Sequence, residues 1–338
     1  MKRLTQLRLS MAKKVTACAI LAIASLQGTK AQSKNSKALH IGVVYPVSNH
    51  GTSASGYSNV VSFHLLGGLS RNENGFSLSG ISNVVTSEAR GVQIAGFSNH
   101  IHNKASGLQL SGFINTYKQA EGIQVAGFAN WAQAQVKGAQ VSGFVNKAGN
   151  VSGAQVAGFL NRAKSVKGIQ LSGFLNIADS SDYPVGLINI IKSGEKSIGI
   201  SADENKTTLL SFRSGGRVLY GIVGAGYSFE NEKDQYVLEA GLGAHLKITR
   251  AFRVNTEAAI VHYEDFEKGT NIKYALRLLP ALQLVPRMEL FAGPTLNMVH
   301  TNTEEGKKQS NHYLWEKSTI DNFKALYFGG LAGIHLKL

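Results

Sequence analysis

The sequence is poor in the residues on which thiol and acid–base enzymes depend. It holds one cysteine, Cys18, and five prolines in 338 residues. Cys18 lies inside an N-terminal apolar run, so the mature chain is expected to have neither disulfides nor a thiol nucleophile. Acids are scarce where the sequence is most regular: between Gly75 and Asn176 there are only Glu88 and Glu121. A polysaccharide lyase or hydrolase needs clustered carboxylates or Lys and Arg at the scissile bond. The chain is therefore read as non-enzymatic, with no catalytic, cofactor-binding or metal-binding residue assigned. After the N-terminus there is no run of about 20 apolar residues, which excludes a membrane-spanning helix there.

What is present begins with Lys2, Arg3, Arg8, Lys13 and Lys14, an apolar run from Val15 to Leu26, and small residues at Thr29 and Ala31. This grammar predicts a secretory signal peptide over residues 1–31, with Met11 as a second candidate start. Val15 to Cys18 superficially matches a lipoprotein box, but most of the apolar run follows the cysteine, against lipidation. Removing the leader leaves 29 Lys and Arg against 21 Asp and Glu. That balance is modest, and no nucleic-acid motif carries it.

A nine-residue phrase then organises the chain. It reads GVQIAGFSN at Gly91, GLQLSGFIN at Gly107, GIQVAGFAN at Gly122, GAQVSGFVN at Gly138, GAQVAGFLN at Gly153 and GIQLSGFLN at Gly168, with a looser copy at Gly75. A fixed period of 15 or 16 residues marks a repeat architecture. Ile123 and Val125 point to one face of a strand and Gln124 to the other. A bend at Gly127 is expected to turn Phe128 inward, and Asn130 to close the corner. Stacked about 4.8 Å apart, such copies form a β-solenoid; an antiparallel sheet with one strand per repeat fits the same pattern. Phe97, Phe113, Phe128, Phe144, Phe159 and Phe174 are expected as a core stack, with an aromatic platform for sugars as the functional alternative. Asn99, Asn115, Asn130, Asn146, Asn161 and Asn176 are expected as a corner ladder.

Residues 32–72 read as a capping region of degenerate repeats that starts with a disordered Gln32 to Lys37, 73–192 as the array, and 193–338 as a second, all-β region. In the last, parity is strict. Leu238, Ala240, Leu242 and Leu246 alternate with Glu239, Gly241, Gly243 and His245, and Val254, Ala258 and Ile260 with Arg253, Asn255 and Glu257. About eight such strands close a small barrel whose interior fills with side chains, here of both signs. Most have the length to cross a bilayer. Ile198 to Ala202 and Thr207 to Arg213 look short, and Pro280 and Pro294 interrupt apolar faces. A soluble barrel or sandwich packed on the array is the alternative.

The remaining candidates are weak. Asp203-Glu204 and Glu264-Asp265 read as solvated turns, and Gly221 to Gly226 with Gly241 and Gly243 as places where inward barrel side chains must be small. His100 and His102 share a strand face, two imidazoles lacking a nearby third ligand. Lys104, Lys118, Lys137, Lys147, Arg162, Lys164 and Lys167 sit at corners, where a stack would line them into a basic edge for lipopolysaccharide phosphates or another anionic envelope glycan.

These repeats resemble the GLQIAGLVN-type surface-repeat proteins of bacterial outer membranes, especially those of Bacteroidota. The segments Pro184 to Asn189, Ser201 to Glu204, Phe212 to Gly215 and Phe291 to Asn297 look like the C-terminal part of the same proteins. The chain departs from that pattern in carrying Phe where Leu is common. The resemblance implies an exported, envelope-associated protein without a known reaction. With the strand pattern, the chain is read as an outer-membrane protein in contact with membrane lipid and with a structural or adhesive role. It supplies no reaction, cofactor or site residue. A periplasmic or secreted glycan-binding module, or a carbohydrate-active enzyme on the same scaffold, is the alternative function.

Overall fold

The computed structural model describes residues 36–229, 235–266, 269–310, 312–319 and 322–338. The expected signal peptide and Cys18 lie outside them. The fold is all-β: a parallel stack whose strands run between Ser36 and Ile191, then a closed antiparallel barrel between Glu195 and Lys337.

Each coil of the stack contributes two strands. Val136–Ser142 pairs in parallel with Val151 to Ala157 of the next coil, and Val145–Lys147 with Leu160–Arg162, identical repeat positions facing each other. A coil of 15 or 16 residues thus closes with two sides, joined by a bend at Gly-Phe and a polar corner opposite. The first glycine of the phrase permits this closeness. Gly122 has φ 114°, and a Cβ there would overlap the carbonyl oxygen of Gly107 in the preceding coil.

The sidedness is the reverse of the expected one. Gln124 and Asn130 are fully buried, whereas Ile123 is 49% and Phe128 40% exposed. The bend does fall at Gly127-Phe128, but it throws the ring outward. The asparagine is not a corner residue; it sits in the second strand and points into the coil. The physical reason is the in-register stacking. Asn83, Asn99, Asn115, Asn130, Asn146, Asn161, Asn176 and Asn189 form one chain in which each Nδ2 donates to the next Oδ1 at 2.8–3.1 Å. From Asn83 to Asn176 each Nδ2 also donates to a main-chain carbonyl of the following coil, at 2.6–2.9 Å. A parallel glutamine row lies beside it and is paired only in part. Gln155 donates to Gln140 at 2.8 Å and Gln170 to Gln155 at 3.1 Å, Gln140 donates to Tyr117 Oη instead of Gln124, and Gln93 has neither polar atom paired. Buried amides are tolerated when paired, and the remaining interior is filled by small apolar rows such as Ala120, Val136, Val151 and Val166.

At its start the stack is closed by a strand, Ser36–Val44, which pairs in parallel with Ser58–Ser70. Ser36 and Lys37, expected to be disordered, belong to this strand, and the rest of that tract, Gln32 to Asn35, lies outside the described residues. At its other end the stack abuts the outside of the barrel. Asn189 N donates to Ser214 Oγ at 2.9 Å and its Nδ2 to Ser214 O at 3.1 Å. Ser214 shares parity with Leu210 and Phe212, opposite the inward Arg213, so the amide ladder ends on the barrel's outer wall. Gly221, expected to face inward, has outward parity and receives the last coil; a Cβ there would overlap the carbonyl oxygens of Gly186 and Leu187.

The barrel strands are Glu195–Asp203, Thr207–Gly215, Leu219–Ser228, Gln235–Lys247, Phe252–Glu264, Asn271–Val285, Met288–Thr301 and Asn322–Lys337. The last pairs with the first, Ser197 with Lys337 through Asp203 with Leu331, and closes the cylinder. The first two strands are longer than their apolar patterns suggested, nine residues each. That suffices for a tilted bilayer crossing. Pro280 and Pro294 do not break their strands. Pairing between those two strands lapses from Arg277↔Thr295 to Ala281↔Phe291, where the missing N–H groups lie, and shifts register once more between Gln283 and Val285 beside the turn. The polar tract 301–317 carries a helical turn, Glu304–Lys307, and the start of a strand, Trp315–Thr319, that lies along Asn322 to Leu326.

Candidate functional site

Strand alternation puts the barrel's charged residues in its lumen. Glu257 accepts from Arg213 Nε at 2.9 Å, from Tyr220 Oη at 2.9 Å and from Arg277 Nη1 at 3.3 Å. Arg277 also pairs with Glu239, which accepts from Ser211 Oγ at 2.6 Å. Nearer the chain ends Arg253 pairs with Glu289 at 3.0 Å and with Glu195, and Lys337 reaches Glu289 at 3.3 Å. At the opposite end Lys273 Nζ pairs with Asp203 at 2.6 Å. Asp203, read from sequence as a solvated turn residue, is thus a buried ion-pair partner, and its neighbour Glu204 accepts from Asn297 Nδ2 at 3.0 Å. The central carboxylates and guanidiniums are 0–3% exposed at their side chains. Such an interior is a filled plug in which every central carboxylate is paired with a cation, while Arg213 Nη1 is left without a hydrogen-bond partner.

The outer surface of the stack is divided lengthwise. One edge carries the six phenylalanines in a continuous ring stack, centroids 4.8–5.2 Å apart and planes within 14° of parallel. Apolar residues flank it on both sides, Ile123, Ile169 and Leu171 on the first strands and Val145, Leu160 and Leu175 on the second. The opposite edge is charged, with Arg90 paired to Glu88 at 3.0 Å and Lys104 to Glu121 at 2.7 Å. Between the two, Lys147 Nζ lies 3.9 Å from the centre of the Trp131 ring. The corner cations are not one continuous row. Lys147, Arg162 and Lys164, together with Lys192 and Lys196, line a groove of about 480 Å³ that contains one acid, Asp179.

His100 donates or accepts at 2.7 Å with Thr116 Oγ1, and His102 is exposed. Among the described residues no group of three His, Cys, Asp or Glu side chains is arranged to hold a metal ion. A second histidine group went unread in the sequence. His40, His50 and His64 gather at the closed end of the stack, His40 stacked on His50 at 4.3 Å and edge-on to His64 at 4.4 Å. Burial, reinforced by the neighbouring imidazoles, lowers His40 and His64 to about 4. Glu73, beside them, accepts from Ser62 at 2.8 Å and Asn59 at 3.1 Å, and burial raises its carboxyl. These residues occupy repeat positions: His40, Ser62 and Ser77 stand in the row that Gln93 continues. The only signal was that phase, hidden by the degenerate spacing of the first coils.

No family model and no curated protein matches this chain. A solved structure from the de novo design of transmembrane β-barrels is similar over 43% of this chain and 93% of its own length, at 14% identity and a TM-score of 0.25. That likeness is too slight to carry an argument. The class of protein is accordingly defined by the fold alone: a two-sided β-solenoid joined to a closed eight-stranded barrel with a polar, filled interior and an apolar exterior.

Proposed function

We propose that this chain is a non-enzymatic cell-envelope protein whose barrel spans the outer membrane and whose stack is a structural or adhesive appendage fixed to the barrel wall. The observation that carries the reading is the barrel's reversed polarity. Leu238, Leu242, Leu246, Leu276 and Leu278 stand 43–59% exposed around a buried ion network. In water such a wall costs roughly 25 cal/mol for each Å² of apolar surface left exposed, whereas in lipid it costs nothing comparable. The connections support the same reading. Residues 216–218, 248–251 and 286–287 make short turns at the end that holds Glu195 and Lys337; at the other end 204–206 is also short, but the longest connection, between Thr301 and Asn322, lies there. Outer-membrane barrels place short turns toward the periplasm and long loops outside.

Membrane fractionation followed by electrophoresis with and without boiling tests this. A membrane-bound band whose mobility changes on boiling is expected, and a soluble band would overturn the membrane reading. A glycan-binding module is the second reading, and the exposed phenylalanine edge is what favours it. The rings, however, cover one another's faces at 4.8–5.2 Å and offer mostly edges, whereas sugars stack on free faces.

A further inference from the structure

Resting on the membrane reading above, we propose that the stack is itself a membrane element. It lies in the plane of the bilayer beside the barrel, with its phenylalanine edge among the acyl chains of the leaflet at the short-turn end. Its basic groove then meets that leaflet's lipid phosphates.

Three observations lead there. The first is direction. The asparagine ladder, which marks the axis of the stack, ends on Ser214 of the barrel's outer wall, and the last coil rests on Gly221 of the next strand. A rod that starts on the side wall of a membrane barrel runs away from it through lipid. Both contacts lie close to the short turn 216–218, which sets the leaflet.

The second is continuity. The apolar surface does not stop at the barrel: Leu187 of the last coil lines an apolar hollow of about 600 Å³ with Leu242, Ile260 and Leu276 of the wall. From there the flanking Leu175, Leu160 and Val145 and the ring stack carry apolar surface along the rod. Exposed patches of this extent mark membrane or protein contact.

The third is the order of chemistry around the perimeter. Phenylalanine stands at one edge, aliphatic residues beside it, then Trp131, Lys147 and Arg162, then paired charges at the opposite edge. This is the sequence of an interfacial amphipathic element, apolar face immersed, aromatic and basic residues at headgroup level. The groove formed by Lys147, Arg162, Lys164, Lys192 and Lys196 at the junction supplies the positive charge that phosphates would meet.

The test uses the full chain in vesicles of phosphatidylethanolamine and phosphatidylglycerol, with and without bromine at mid-acyl chain. The sequence has two tryptophans, Trp131 and Trp315, so W131F/W315F removes the background. One reporter is then placed at the ladder (F128W, with F144W as a second should the first fail to fold) and one on the barrel wall (L276W). Both ladder and wall reporters are expected to lose most of their fluorescence in brominated lipid. A quenched L276W with unquenched F128W and F144W would overturn the proposal while leaving the barrel in the membrane. If none is quenched, the membrane reading fails and this one with it. Changing Lys147, Arg162 and Lys164 to Ser is expected to weaken quenching of F128W and leave L276W unchanged. Quenching of F128W that ignores this change would overturn the phosphate contact.

Discussion

The stack and the barrel solve one problem with different chemistry. Each turns apolar residues outward and lines much of its interior with polar groups that pair with one another. The stack does so with neutral amides, because its neighbours along the axis are identical copies and an amide both donates and accepts. Asn130 takes from Asn115 what it gives to Asn146. The barrel's neighbours across the lumen are all different, and there Glu257, Glu239, Arg213 and Arg277 meet as a set of opposite charges found once. Repetition allows a ladder of weak bonds with no net charge; a closed cylinder needs complementary, individually placed ones. The two modes differ in how damage spreads, and that difference can be measured.

Breaking the barrel's set is expected to have the largest effect. Glu257→Ala leaves Arg213 and Arg277 without that buried carboxylate, and removal of one partner from such a group costs about 3–5 kcal/mol. Urea unfolding of the detergent-solubilised protein should show a correspondingly lower midpoint for the barrel, with the stack little changed. Asn130→Ala opens one rung of the ladder. It removes the bonds to Asn146 and Val141 and takes from Asn115 its acceptor, a loss of about 2–3 kcal/mol. Hydrogen exchange should quicken in the coils on either side of residue 130 and leave the barrel untouched. Equal loosening of both regions would dissolve the contrast.

Phe128→Ala should be milder. The ring is 40% exposed, and its two stacked neighbours are worth about 0.5–1.5 kcal/mol each. A Tm that falls by as much as for Asn130→Ala would mean that the ring contributes more than the contacts with its two stacked neighbours. The smallest effect is expected at the histidine cap, and it depends on pH. His40 and His64 sit at about 4 in the folded protein, below the ordinary 6.5, so the unfolded chain takes up their protons first as pH falls. Their contribution is complete above pH 6.5 and is lost progressively between 6.5 and 4. Protection factors at the first coils, with the intrinsic pH dependence of amide exchange divided out, should therefore be lower at pH 5 than at pH 7, and His40→Gln with His64→Gln should flatten that difference.

Parity made the barrel legible. Glu239, Arg253, Glu257 and Arg277 alternate with aliphatic residues in strands long enough to cross a membrane, and the structure keeps that alternation. The residues of the ladder and the ring stack were legible too, because they repeat. Their sidedness was not. A single repeat shows two faces, one aliphatic and one amide, and burial of the aliphatic one is the ordinary expectation. Asp203 misled for a related reason: two adjacent acids look solvated until Lys273, seventy residues away, is brought beside one of them.

The sequence by itself determined the period, the glycine-bent coil, and the inward and outward sets of the barrel strands. Those follow from local steric and alternation rules, which act within one repeat or one strand. It left parallel and antiparallel stacking open until the pairing of each coil with the next settled it as parallel. Tertiary structure alone decided which face of the stack is interior and where the stack ends. An amide is costly to bury alone and becomes acceptable only when the next coil places another within 3.1 Å of it. That condition exists between copies, and for the last copy it is met by Ser214 on the barrel wall.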